Sequence, residues 1–267
     1  MKRRVVFVPT MGALHHGHAT LVRKARQIAG KTGAVVVSIF VNPTQFGPSE
    51  DFSAYPRPLR HDLKICHEAG ADAVFVTGVQ EMYPGEASVT VDETSLSASL
   101  CGRSRPGHFS GVCTVVAKLF HIVSPTHAVF GEKDWQQLAI IRRMVRDLDF
   151  DVEVVPCPIV REKDGLAASS RNAYLTVEER LLAPRIHDAM RAAAVKPTPA
   201  KIISEAVKGI SKIPGARIDY VEAVDAHTLQ PLRNRQSEGR LAAAVFLGKA
   251  RLIDNIARSE EHTSELQ

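Results

Sequence analysis

RVVFVPTMGALHHGHATLVRKARQIA, residues 4–29, changes period part-way along. Arg4–Val8 is a short, nearly continuous apolar run, the pattern of a strand buried on both faces. From His18 to Ala29 the apolar or small residues fall at 19, 21, 22, 25, 28 and 29, which is helical spacing. Pro9–His18 joins the two and holds two glycines and three histidines.

The same alternation continues outward. Val35–Val41, Asp72–Val76, His127–Phe130 and Val152–Val155 read as strands. Leu59–Ala69, Gly111–Val123 and Asp134–Asp147 read as helices, and Gly70 is placed to end the first of these. Apolar strands separated by helices imply an α/β fold: a Rossmann-like doubly wound parallel sheet, here residues 1–160, with ligands at the carboxyl ends of its strands. Beyond Arg161 the texture changes. Helices at Leu181–Ala194 and Ala200–Ile210 flank a turn at Lys196–Pro199, and strands follow at Arg217–Val224 and Leu241–Leu247. These residues, 161–257, are expected to form a second, smaller α+β domain acting as a lid, with the 164–172 loop as its moving contact. No internal repeat is present. Residues 258–267 show neither period and back-translate to a string resembling a sequencing-library adapter, so they are expected to be a non-native tail.

Composition narrows the class. Of 267 residues 45% are hydrophobic and 24% charged, which excludes disordered and fibrous chains. The longest apolar run, Ala34–Val41, is far short of the roughly 18 residues a membrane span needs. Met1–Arg4 followed by Val5–Val8 imitates a secretory signal, but Pro9 stops it too early. A cytoplasmic protein without membrane contact is expected. The net charge of +5 favours an anionic partner. No Lys/Arg block or basic run interleaved with aromatics points to nucleic acid. Cys66, Cys101, Cys113 and Cys157 form no C-x-x-C pair and no metal spacing, so they read as reduced, mostly buried thiols.

Chemistry is sought in the loops. His15 and His18, three apart at a helix start, share one face, and Gly12 and Gly17 allow close backbone approach to a ligand. A helix N-terminus there suits phosphate, and the imidazoles can donate to charge that grows in a transition state. Three close histidines could instead bind a metal, although no acidic partner follows at zincin spacing. A plain surface loop is the other alternative. In Val41–Gly47, Asn42 and Gln45 are neutral amides that both donate and accept, although an ordinary turn explains the string as well. Arg105, in Ser104–Gly111, can pair with carboxylate or phosphate. Lys133 is a point charge for phosphate, and Asp134 stands where a helix N-cap is expected. Ser169, Ser170 and Arg171 lie in a small-residue loop suited to a mobile phosphate clamp. Together these loops describe a site for ATP and a second polar ligand.

The strings PTMGALHHGH, SIFVNPTQF, RPGHFSGV, FGEKDWQQL, DGLAASSRN and ARLIDN occur in this order between Val5 and about Asn255. In this the sequence resembles the pantoate–β-alanine ligases, members of the H-x-G-H nucleotidyltransferase superfamily related to class I aminoacyl-tRNA synthetases. The resemblance implies ATP-dependent condensation of (R)-pantoate with β-alanine through a pantoyl adenylate, releasing AMP and pyrophosphate. It places Met11, Gly12, Ala13, Leu14, His15, His16, Gly17 and His18 on ATP, with His18 as proton donor. Gly131, Glu132, Lys133, Asp134, Val160, Ala168, Ser169, Ser170 and Arg171 complete the ATP site, and His15, His18 and Lys133 are the expected catalytic groups. Gln45 and Gln137 are expected on pantoate with Asn42 nearby, and Arg105 is a further substrate-binding candidate. Mg²⁺ is implied as a bridge between ATP phosphates more than as an ion in a protein cage. A homodimer through the N-terminal domain is also implied.

The chain departs from the family pattern in three places. It starts almost at the first strand, Ala168 stands where Met or Leu is common, and Trp135 replaces the usual Phe or Tyr. The rival readings are another H-x-G-H adenylyltransferase, a basic nucleic-acid-binding protein on a Rossmann-like scaffold, and an inactive fragment.

Overall fold

The computed structural model describes residues 4–48, 50–233 and 238–258. The chain forms two compact units. The first takes in residues up to 97, 105–132 and 137–158; the second takes in 98–104, 133–136 and the residues from 159 onward. The short pieces 98–104 and 133–136, expected within the N-terminal domain, thus cluster with the second unit.

The first unit is built on β1 (Val5–Thr10), α1 (His16–Ala29), β2 (Ala34–Ile39), α2 (Leu59–Ala69), β3 (Ala73–Val76) and the one-turn α3 (Val79–Met82). The five-residue α4 (Leu100–Ser104) falls in the second unit. The first resumes with α5 (His108–Val123), β4 (His127–Gly131), α6 (Trp135–Asp147) from residue 137 onward, and β5 (Glu153–Cys157). All its strands are parallel, in the order β3-β2-β1-β4-β5. That order reverses direction between β1 and β4, the point at which an open α/β sheet leaves a crevice for ligands. Alternation along β1 explains the two layers. Val6 and Val8 join Val22 and Ala25 of α1 and Cys66 of α2 in one apolar cluster. Phe7, between them, meets Phe120 of α5 edge-on, with ring centroids 6.4 Å apart. Helix α2 ends where expected, with Gly70 at φ 95° in the left-handed region.

The second unit continues with α7 (Val177–Leu182), α8 (Pro184–Ala194), α9 (Pro199–Ile210) and an antiparallel sheet ordered β6 (Ala216–Asp225), β7 (Gly239–Leu247), β8 (Ala250–Arg258). Its core packs Ile186 and Met190 of α8 and Ile202 and Ile210 of α9 on Leu241, Val245 and Leu252 of the sheet. Three expectations are corrected here. The single helix over Leu181–Ala194 is two, because Pro184 has no N–H to continue α7 and instead starts α8. A third strand, β8, runs over Ala250–Arg258. Arg258, expected in an unstructured tail, is that strand's last residue and pairs with Gly239; residues 259–267 of that tail lie outside the described residues. Among the described residues no helix is long and apolar enough to cross a membrane.

Candidate active site

The loop after β1 is shaped by a residue that the sequence pattern does not single out. Asp62, fully buried on α2, accepts the backbone N–H of Ala13 at 2.9 Å and of Leu14 at 2.8 Å through its two carboxylate oxygens. Gly12, at φ 80°, lies so close that a β-carbon there would stand 2.9 Å from Asp62 Oδ2. Thr10 Oγ1 accepts the Gly12 N–H and donates to Ser38 O. Met11 and Ala13 are part-buried, and Leu14 is buried.

The loop ends in a capping box made of imidazoles. His15 is the N-cap of α1 and its Nδ1 accepts the Gly17 N–H at 3.1 Å, while His18 Nδ1 accepts the His15 N–H at 3.3 Å. The rings lie 4.2 Å apart between centroids. A neutral imidazole that accepts at Nδ1 carries its proton on Nε2. These hydrogen bonds therefore assign both rings the same tautomer, with Nε2–H as the donor edge at a helix N-terminus. His16, on the first turn, is exposed.

After β2, the Asn42 amide donates to Gln45 Oε1 and to Gly111 O, both at 3.1 Å, and its Oδ1 accepts from Thr44 and Tyr83. Both amide hydrogens are thereby used within the protein, so Asn42 stands behind Gln45 as its support. Gln45 in turn points Nε2 at Met11 Sδ, 2.9 Å away. Its carbonyl is held by His108 Nδ1 at 2.7 Å and Arg105 Nη2 at 3.2 Å. Arg105 also grips Glu50 with two bonds and faces His108 Nε2. Burial pushes the Glu50 carboxyl up, but the Arg105 hydrogen bond and charge outweigh it and hold the group below its usual range. Gln137 lies part-buried in the first turn of α6, and Gly131 and Glu132 end β4 and start the next turn.

In the second unit, Lys133 and Asp134 belong to a 3₁₀ turn, Glu132–Asp134, that runs straight into α6. Asp134 therefore has helical surroundings on both sides instead of the extended geometry of an N-cap, and it lies 3.7 Å from Lys133 Nζ. Residues 160–168 form a hairpin in which Ala168 N–H donates to Val160 O at 2.9 Å, which brings those two expected nucleotide contacts together. Ser169 then caps a 3₁₀ turn, Ser170–Tyr174, by accepting the Arg171 N–H. Lys133, Ala167 and Ser169 line one small cavity with Asn172, His187 and Asp254.

A family model described as pantoate-beta-alanine ligase matches residues 1–257. The chain belongs to the pantoate-beta-alanine ligase family. It is 55% identical over 256 residues to the pantothenate synthetase of Akkermansia muciniphila, covering 94% of this chain and 91% of that one. The pantothenate synthetase from Thermus thermophilus superposes with a TM-score of 0.90 at 48% identity, over 96% of this chain and 94% of that one. Pantoate-beta-alanine ligase from Francisella tularensis, complexed with beta-gamma ATP and beta-alanine, superposes with a TM-score of 0.81 at 35% identity, over 96% and 90%.

As a member of this ligase family the chain forms an amide bond in pantothenate biosynthesis, and the family match favours that reading over another H-x-G-H adenylyltransferase. Two of the groups that shape the ligase's first unit, Asp62 and Glu50, escape a reading of the sequence. Asp62 sits in a charged helical string and Glu50 beside Asp51 in a turn-rich one, and only the long-range contacts to 13–14 and 105 reveal them.

Proposed function

We propose that the chain condenses (R)-pantoate with β-alanine at the expense of ATP. The observation that carries this is the imidazole capping box of His15 and His18, which fixes two Nε2–H donor edges on the helix that follows β1 at the sheet's switch point. In the first step a pantoate carboxylate oxygen attacks the α-phosphorus and the bond to pyrophosphate breaks. In the second the amine of β-alanine attacks the acyl carbon, the bond to AMP breaks, and the amine loses a proton.

The residue types suit these steps. Gln45, braced by Asn42, and Gln137 orient pantoate through neutral amides, which leave the carboxylate nucleophilic where a tight guanidinium pair would dampen it. Arg105 serves pantoate through the Gln45 backbone it holds. The imidazole donors, Lys133, Ser169, Ser170 and Arg171 contact the phosphates, where charge develops, with His18, the expected proton donor, offering its Nε2–H to the leaving pyrophosphate as a hydrogen bond. Met11 to Leu14, His16, Gly17, Gly131, Glu132, Asp134, Val160 and Ala168 line the nucleotide. Mg²⁺ enters as part of the nucleotide substrate. Phosphate oxygens are the ligands this ion would take, because Mg²⁺ is ordinarily held by substrate phosphates with one or two carboxylates and not by an all-protein cage.

The test is a reaction with purified protein and ATP, pantoate and β-alanine. AMP and pyrophosphate that appear only when all three are present are expected. ADP in place of AMP, or no turnover, would overturn the reading. The same reading makes the protein a cytoplasmic enzyme and a homodimer joined through the first unit; light scattering that gives a single chain's mass would overturn the dimer.

A further inference from the structure

The last string of the family resemblance, ARLIDN at 250–255, has no role in the reaction as described so far. It forms most of β8, and its side chains alternate between two faces. Ala250 and Leu252 join the core beneath α8 and α9. Asn255 points the other way and is 3% exposed. Its Nδ2 donates to Lys133 O at 3.0 Å and its Oδ1 accepts from Arg240 Nη1 at 2.6 Å. Arg240 has donors only, so Oδ1 must be the atom that faces it, which leaves Nδ2 for the carbonyl. Arg240 is itself buried, its guanidinium carbon 3.5 Å from the Trp135 ring centroid, and Trp135 donates from Nε1 to Ala226 O. One connected path therefore fixes the amide's orientation from β7 and the start of α6.

We propose that Asn255 is a positioning residue for Lys133, with Arg240 as the group that orients it. The proposal rests on the reading of Lys133 as a phosphate contact. A lysine ammonium is a point charge on a flexible four-carbon stem, so it is aimed mainly by where its backbone starts. Lys133 starts from a 3₁₀ turn, and Asn255 pins the carbonyl of that turn from a strand 122 residues away. A carboxylate at 255 would still pair with Arg240 but would set an oxygen against the Lys133 carbonyl. The site needs an amide.

The experiment measures pantoate- and ATP-dependent pyrophosphate release in Asn255→Asp and Asn255→Ser, each alone and combined with Lys133→Ala, alongside melting temperature. In a folded Asn255→Asp, kcat falls about tenfold, the rate equivalent of one hydrogen bond, while the pantoate KM stays within about twofold. In the Lys133→Ala background neither substitution at 255 lowers kcat further, because the ammonium they misplace is already gone. Wild-type kcat in folded Asn255→Asp and Asn255→Ser, or losses that multiply in the double variants, would overturn the proposal. If instead Lys133→Ala alone keeps the wild-type rate, the phosphate reading of Lys133 falls, and the Asn255 proposal falls with it; the single variant identifies that case.

Discussion

His15 has two roles that a substitution can separate. Its Nδ1 caps α1, and its Nε2–H is the edge assigned to a phosphate. Asn is as good an N-cap as any residue but reaches no phosphate from this position. Both His15→Ala and His15→Asn should therefore lower pyrophosphate release by roughly 10²–10³, the usual cost of one lost donor to developing charge. Only His15→Ala should also lose about 1 kcal/mol of stability. Pyrophosphate release at the wild-type rate in either variant would refute the role given to Nε2. Arg105 lends itself to a similar separation. Lysine cannot bind Glu50 in two places and hold the Gln45 carbonyl as well. In Arg105→Lys the pantoate KM should rise several-fold more than the ATP KM, as it should in Gln137→Ala. Equal changes in both constants would show that the clamp on Gln45 has no part in pantoate binding.

Strand β8 is where pattern reading and structure part company. Its residue Asp254 faces the core at a position where an apolar residue would continue the alternation of Ala250 and Leu252. It is admitted there because Arg161 donates to both its oxygens, at 2.7 and 2.9 Å, and His187 Nδ1 lies 3.3 Å away. Burial raises the Asp254 carboxyl, but the His187 and Arg161 contacts outweigh it and hold the group below the usual carboxylate range. A depressed native value means that the carboxylate stabilises the fold above its unfolded pKa of about 4 and ceases to as pH falls through the native value. Asp254→Asn should thus cost roughly 3 kcal/mol near neutral pH, since Arg161 is left part-buried without its partner. The gap from wild type should then narrow below about pH 4. Urea unfolding across that range checks it, and a gap that widens in acid would exclude the assignment. The same polar intrusions explain why β8 was not legible in the sequence. Arg251, Asp254 and Asn255 break the kind of apolar pattern that disclosed β1, β2 and β4 through their uncharged runs at Val5–Val8, Val35–Val37 and Ala128–Phe130. Helix α2 and its Gly70 cap were legible because that signal is local. The bond from Asp62 to the 13–14 backbone was not, because a single Asp on a charged helix looks like any solvated residue until the fold is known.

At the scale of the whole chain, the four cysteines connect composition with packing. Sequence spacing reads them as reduced and mostly buried, and all four are free and buried. Burial and the nearby Asp62 push the Cys66 thiol up to about 11, and burial with Glu93 and Asp92 pushes Cys113 to about 12. Burial raises Cys157 as well. Cys101 is 8% exposed and its sulfur lies 3.2 Å from Tyr220 Oη. Because the thiolate is the reactive form, ionisation works against reaction at Cys66, Cys113 and Cys157, and burial limits access to all four in the native state. A disulfide reagent at pH 8 should therefore titrate no thiol rapidly in the native protein and four in denaturant. The slow native phase should follow opening of the surrounding structure, so it should accelerate in sub-denaturing urea in step with the loss of stability. A rapid native equivalent would show that at least one thiol is reached without unfolding. Cys101 would be the first to examine, because Arg251 Nη1 and Nη2 lie 3.6 Å from its sulfur, and loss of that equivalent in Cys101→Ser would assign it.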